Sequence, residues 1–135
     1  MSINFTKGHG TGNDFVLVVD EVGQLDFSEL EIQKLCDRNF GVGADGLIVI
    51  RPTKASEVED LLAQESAATW FMDYRNRDGS KAEMCGNGIR VMARYLIDHE
   101  LVKIDKGSTL PIATRAGIKD LTQTANGFAV DLGPF

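Results

Sequence analysis

The sequence predicts an α+β domain in which short strands wrap one long, buried helix. From Asn87 to about His99 the spacing is helical, and Ile89, Val91, Met92, Ala93, Tyr95, Leu96 and Ile97 cover nearly the whole circumference. Only Arg90, Arg94 and Asp98, spaced by four, make a polar line. A helix apolar almost all round belongs inside its domain rather than on its surface. Around it lie short β-rich runs, four before and three after, so that sheet and helix must cover each other. With 135 residues and 43% hydrophobic side chains, residues 1–135 have the size and the apolar material of a single domain.

In chain order, a strand is expected at Asn4 to Lys7, then a glycine-rich turn (Gly8, Gly10, Gly12), then an apolar strand from Phe15 to Val19. Ser28 with Glu31 three residues later has capping-box spacing for a helix running to about Arg38. In that amphipathic pattern Cys36 reads as a small buried hydrophobe. Leu47 to Ile50 is β-rich and Pro52 closes the strand. Thr53 to Thr69 is polar and acidic and reads as a solvent-facing excursion. Trp70 to Tyr74 is an aromatic-rich strand leading into the turn Asn76-Arg77-Asp78-Gly79. After Gly107 come the runs Thr109 to Thr114, Ile118 to Thr124 and Phe128 to Leu132, with Asn126-Gly127 as a hairpin signal between the last two.

A net charge of -6 and a pI near 4.8 argue against a nucleic-acid partner, which demands a basic face. No segment approaches the ~18 consecutive apolar residues that cross a bilayer, and Met1 to Lys7 lacks a basic stretch followed by an apolar run. A cytoplasmic protein without a membrane partner is expected. Its two cysteines, Cys36 and Cys85, are expected to be reduced thiols.

Gly41, Gly43 and Gly46 fit the dinucleotide-binding spacing G-x-G-x-x-G, but that fingerprint needs a strand before it and a helix after it. Here a helix precedes and a strand follows, so the glycines read as a helix-to-strand turn. Cys85-Gly86-Asn87-Gly88 carries more chemistry, because it stands immediately before the buried helix. Unpaired N–H groups and the positive end of the helix dipole stabilise a thiolate and lower a cysteine's pKa. Gly86 and Gly88 leave those N–H groups open to a ligand carboxylate. The competing reading of Cys85 is an inert small residue at a cramped helix start. Asn76, Asn87 and Asn13 could bind the ammonium and carboxylate groups of an amino acid, although turn chemistry alone accounts for Asn76 and Asn13. His9 and His99 read as structural, with a Cys85/His9 cysteine hydrolase as an alternative. A non-catalytic ligand-binding or interaction domain is a further alternative.

The segments Lys7-Gly8-His9-Gly10-Thr11-Gly12-Asn13-Asp14-Phe15, Asp37 to Gly46, Asn76-Arg77-Asp78-Gly79-Ser80 and Glu83-Met84-Cys85-Gly86-Asn87-Gly88-Ile89-Arg90 together resemble diaminopimelate epimerase. The resemblance runs to Gly133-Pro134-Phe135. It implies two similar α+β domains, each a mixed sheet curled like a barrel around a central helix, with the active site in the cleft between them. It also implies interconversion of LL- and meso-diaminopimelate, on the route to lysine and peptidoglycan, by two cysteines acting as acid and base without pyridoxal phosphate, metal or other cofactor. By motif position Cys85 is the first domain's catalytic thiol, and Asn13, Asn76, Gly86 and Asn87 correspond to substrate-binding positions. Gly46 stands where some relatives carry a glutamine that contacts substrate.

The second domain and its cysteine are expected to be missing from this chain, and Cys36 matches no catalytic position of the family. The chain is therefore expected to be inactive alone, to have that C-terminal domain as its natural partner beside the small-molecule substrate, and to be prone to form a homodimer through the surface left bare around Cys85.

Overall fold

The computed structural model describes residues 5–10, 12–21, 25–53, 69–82, 86–102, 109–124 and 127–131. Among these residues seven strands form one sheet in simple sequence order: β1 (Thr6–Gly10), β2 (Asn13–Val19), β3 (Gly46–Pro52), β4 (Trp70–Asn76), β5 (Thr109–Thr114), β6 (Gly117–Thr124) and β7 (Gly127–Asp131). Among the described residues two helices, α1 (Glu29–Cys36) and α2 (Gly86–Asp98), lie in the crossovers. β2 and β3 are parallel, with α1 between them in sequence, as are β4 and β5, with α2 between them. The other neighbouring strands are antiparallel.

Alternation along the strands divides the core. Phe15, Leu17, Ile48, Ile50, Met72 and Tyr74 face α2 and meet its Ile89, Met92, Ala93 and Leu96. Val16, Val18, Leu47 and Val49 face the other way and pack on Ile32 and Cys36 of α1. Strand β3, covered on both faces, is buried throughout, which is why it reads as an unbroken apolar run. The outer strands β1 and β7 both contact α2 although they lie at opposite edges of the sheet. Such contacts require the sheet to curl around the helix, as expected from the helix's apolar circumference. No helix among the described residues is long and apolar enough to cross a membrane.

Several boundaries differ from the sequence reading. Gly8 and Gly10 lie within β1 rather than in a turn. A Cβ at Gly8 would sit 2.5 Å from Val91 Cγ1, and one at Gly10 would sit 3.0 Å from Asn87 Cβ, so these glycines admit α2 against the strand. The turn itself falls at Gly12, whose φ is 78°. The Ser28 capping box is formed, Ser28 Oγ accepting from the Glu31 N–H and Glu31 Oε1 accepting from the Ser28 N–H. Helix α1 ends at Cys36 rather than Arg38 because Asp37 turns extended and its carboxylate accepts the N–H groups of Asn39 and Phe40. The Gly41 segment is a helix-to-strand turn as expected, with the N–H groups of Val42 and Gly43 both directed at the Leu35 carbonyl. Helix α2 starts one residue early, at Gly86, and the turn that follows its end at Asp98 carries Glu100 at φ 58°.

Thr53 donates its N–H to the Thr69 carbonyl, while the excursion between them, residues 54–68, lies outside the described residues. The β6–β7 register pairs Thr124 with Gly127, which moves the two-residue connection to positions 125–126, also outside them.

Candidate functional site

One end of the sheet collects the polar residues that the sequence singles out. Asn13 opens β2, Gly46 opens β3 and Asn76 closes β4, and the register aligns Gly46 with Phe15 on one side and with Asn76 on the other. The first turn of α2 comes down on the same end. There Asn87 Nδ2 donates to Asn13 Oδ1 at 2.6 Å, and the Asn87 carbonyl would lie 3.0 Å from a Cβ at Gly10. Two residues 74 positions apart in sequence thus share one hydrogen bond. Gly86 is the first residue of α2, in open space where a Cβ would meet nothing within 4 Å. The N–H groups of a helix's first turn have no partner within the helix and carry the positive end of its dipole. This end therefore suits an anionic group such as a carboxylate.

Asn76 stands at the same end, but its Nδ2 donates to Ser80 Oγ at 3.1 Å and its backbone N–H to the Ser80 carbonyl at 2.9 Å. Its turn role is thus real. Cys85 lies outside the described residues, and in sequence it directly precedes Gly86. Cys36 is 3% exposed in the α1 core, and burial pushes its thiol pKa up. A buried, protonated thiol of this kind is inert. His9 is exposed on β1. Strand alternation turns it to the face opposite Gly8 and Gly10, which admit α2. His99 Nδ1 donates to the Tyr95 carbonyl at 3.1 Å and its ring stacks on the Tyr95 ring at 3.9 Å, a structural arrangement.

At Gly46, a Cβ would lie 2.7 Å from the Arg75 carbonyl oxygen and 3.0 Å from Tyr74 Oη. No larger side chain fits there unless the β4 backbone gives way. A groove of about 460 Å³ runs along α2 from Gly10 and Asn87 past Arg90 and Arg94 to Phe128. Among the described residues no group of three His, Cys, Asp or Glu side chains is arranged to hold a metal ion.

The sequence reading missed the charges that brace this end. Arg38 grips Asp14 with Nη1 at 3.0 Å and Nη2 at 2.8 Å, and Lys7 Nζ reaches the same carboxylate at 2.7 Å. Arg38, then Lys7, hold the Asp14 carboxyl well below the usual carboxylate range. Lys7 also donates to the Gly43 carbonyl, so β1, β2 and the α1–β3 loop are tied together. Asp45 pairs with Arg38 at 3.2 Å and accepts from Asn13 Nδ2 at 3.2 Å. The available signal was that all four charges lie inside the two segments Lys7–Phe15 and Asp37–Gly46 that carry the resemblance.

The family profile described as diaminopimelate epimerase matches residues 5–135. The chain belongs to the diaminopimelate epimerase family. Over 136 residues it is 46% identical to a diaminopimelate epimerase of Thermobifida fusca (strain YX), an alignment covering 98% of this chain and 48% of that protein. A diaminopimelate epimerase of Streptomyces coelicolor is 48% identical over 93% of the chain and 42% of its own length. The chain thus spans about half the length of the curated relatives it matches. Among solved structures, a methylitaconate-delta-isomerase aligns with a TM-score of 0.62 at 14% identity, over 93% of this chain and 35% of its own. A hydroxyproline epimerase from Agrobacterium vitis aligns with a TM-score of 0.60 at 12% identity, over 93% of this chain and 40% of that one. At these identities the two likenesses show the fold alone: the sheet and helices described above align with part of each solved chain.

Proposed function

We propose that this chain, a single domain, supplies the first half of a diaminopimelate epimerase site, and that the part of the family's length beyond it supplies the second half. In this reading Cys85 is one of two catalytic thiols, and Asn13, Asn76, Gly86 and Asn87 bind substrate. The observation that carries it is the Asn13–Asn87 hydrogen bond at the start of α2, the helix that directly follows Cys85 in sequence. It joins residues of two separate family motifs at a helix N-terminus, where a substrate carboxylate is favoured.

Inverting an α-carbon requires a base on one face to take the α-proton and an acid on the other to return one. A thiolate accepts the proton as S–H while a protonated thiol opposite donates its own, so the two exchange roles with each turnover and no net proton is consumed. The electron pair left on the α-carbon delocalises into the substrate carboxylate. The N–H groups at the start of α2 are placed to stabilise the charge that develops there. The first turn of α2 also favours Cys85 as a thiolate.

Phe40, 95% exposed, and Val42 stand on the loop between α1 and β3, near the end that carries Asp45 and Asn13. Apolar side chains beside a half-site support a partner there. In this reading the part of the family's length beyond this chain is that partner, with a homodimer as the competing arrangement. A monomeric mass by light scattering at high concentration counts against the homodimer.

The test mixes this chain with the portion of a relative that it does not cover and follows α-proton exchange of LL- and meso-diaminopimelate in deuterated buffer by NMR. Exchange that needs both parts and disappears with Cys85→Ala is expected. Exchange that survives Cys85→Ala overturns the assignment of Cys85.

A further inference from the structure

Two amides and two charges form a directed chain of hydrogen bonds at the start of α2. Arg90 Nη1 donates to Asn87 Oδ1 at 3.4 Å, Asn87 Nδ2 to Asn13 Oδ1 at 2.6 Å, and Asn13 Nδ2 to Asp45 Oδ2 at 3.2 Å. Every bond points the same way, from the guanidinium to the carboxylate. A guanidinium only donates and a carboxylate only accepts, whereas an amide offers both. The oxygen and nitrogen ends of an amide are nearly equal in shape, so its orientation is decided by its hydrogen-bond partners. Were Asn13 turned over, its carbonyl would face Asp45, acceptor against acceptor, and its NH₂ would face that of Asn87. Turning both amides over sets the Asn87 NH₂ against Arg90 as well. Only one orientation satisfies all three contacts.

The acceptor end of the chain is itself held in place. Asp45 pairs with Arg38 at 3.2 Å and accepts the backbone N–H of Asp14 at 3.2 Å, and its own N–H donates to Asp14 Oδ1 at 3.1 Å. Arg38 in turn grips both oxygens of Asp14. Arg90 is exposed on α2, one turn beyond Asn87.

We infer that Asp45 and Arg90 are positioning residues that fix which way round the amides of Asn13 and Asn87 stand. They thereby fix which atoms of the two asparagines a bound amino acid meets. An α-amino acid brings an acceptor carboxylate and a donor ammonium, so reversing an amide exchanges attraction for repulsion at that contact. The inference rests on the reading that Asn13 and Asn87 bind substrate, and the orientation itself is measurable without turnover.

The experiment records the side-chain NH₂ signals of Asn13, Asn87 and Asn76 in the ¹⁵N-labelled 135-residue chain. Asp45→Asn keeps the shape but offers either end of an amide to Asn13. The expected result is that the signals of Asn13 and Asn87 move together, although Asp45 reaches Asn87 through Asn13, while those of Asn76 stay. Arg90→Met is expected to move the same pair from the other end, and Arg90→Lys, which keeps a donor, to restore it. Movement of Asn13 alone with Asp45→Asn, or an unmoved Asn13 with Arg90→Met, overturns the inference. If Asp45→Asn fails to fold, the exposed Arg90 variants decide the question alone. In the reconstituted enzyme, Asp45→Asn is expected to lower kcat/KM for diaminopimelate about tenfold, the scale of one misdirected hydrogen bond to a charged group. An unchanged kcat/KM in a variant whose amides have moved overturns the link to substrate. Absence of turnover in the wild-type mixture instead counts against the proposed function and leaves the amide signals to judge the orientation.

Discussion

Replacing Asp73 by Asn removes the centre of a buried charge cluster, and the structure sets the scale of the loss. Asp73 is 2% exposed on β4, and its carboxylate accepts from Arg51 Nε at 3.0 Å, Arg75 Nε at 2.9 Å and Arg115 Nη2 at 2.6 Å. Burial acts to raise its pKa and is the largest single influence, but the guanidinium groups of Arg75 and Arg115 together outweigh it. The net result is a carboxyl lowered to about 2. Against an ordinary value of 3.8, that depression corresponds to about 2 kcal/mol of stability at neutral pH. The Asn variant loses this and also leaves Arg51, Arg75 and Arg115 without their shared counter-charge, so the expected cost at pH 7 is about 3–5 kcal/mol. For a domain whose whole stability is about 5–15 kcal/mol, such a loss is large.

The measurement is urea denaturation of both proteins, followed by far-UV circular dichroism from pH 7 to pH 2. Because the folded-state pKa is depressed, the contribution is fully present above the unfolded value and is lost as pH falls through about 2. The gap between wild type and Asp73→Asn should stay constant from pH 7 to pH 5, then narrow by about 2 kcal/mol towards the acid end. A gap below about 1 kcal/mol at pH 7, or one that does not narrow, refutes the argument that the carboxylate organises the cluster.

Two further substitutions test how α2 is seated. Gly8→Ala should destabilise the chain by about 1–3 kcal/mol despite the usual gain from replacing a strand glycine, because the new methyl meets Val91 Cγ1 at 2.5 Å and Leu17 Cδ1 at 2.8 Å. Adding Val91→Ala should recover part of the loss in thermal melts; an additive double variant would show that the contact is not the cause. Glu100→Gly should raise the melting temperature, by relieving a left-handed residue at φ 58° worth about 1 kcal/mol. An unchanged or lower melting temperature would mean that the glutamate side chain offsets its backbone strain.

The sequence by itself determined the elements whose signals are local. The Ser28–Glu31 capping box is a contact between residues three apart, and strands such as β3 and β4 are runs of β-favouring side chains. The broad apolar circumference of α2 was likewise enough to place it at the centre, because a helix whose polar residues are confined to one line has to be covered on its other sides. Motif resemblance carried the family and the candidate site residues.

What only the tertiary structure decided depends on approach between distant segments. Gly8 and Gly10 read as turn residues because glycine most often serves a turn, yet they are strand residues whose missing Cβ atoms make room for α2. Asp73, Arg51 and Arg115 read as unrelated charges until strand register brings them onto one carboxylate. Asn13 and Asn87 were named separately, but the hydrogen bond between them and its direction come from Asp45 and Arg90 at either end. A hydrogen-bond partner across 74 residues leaves no periodicity in the chain, so the orientation of an amide is a property of the folded surroundings rather than of its own position in the sequence.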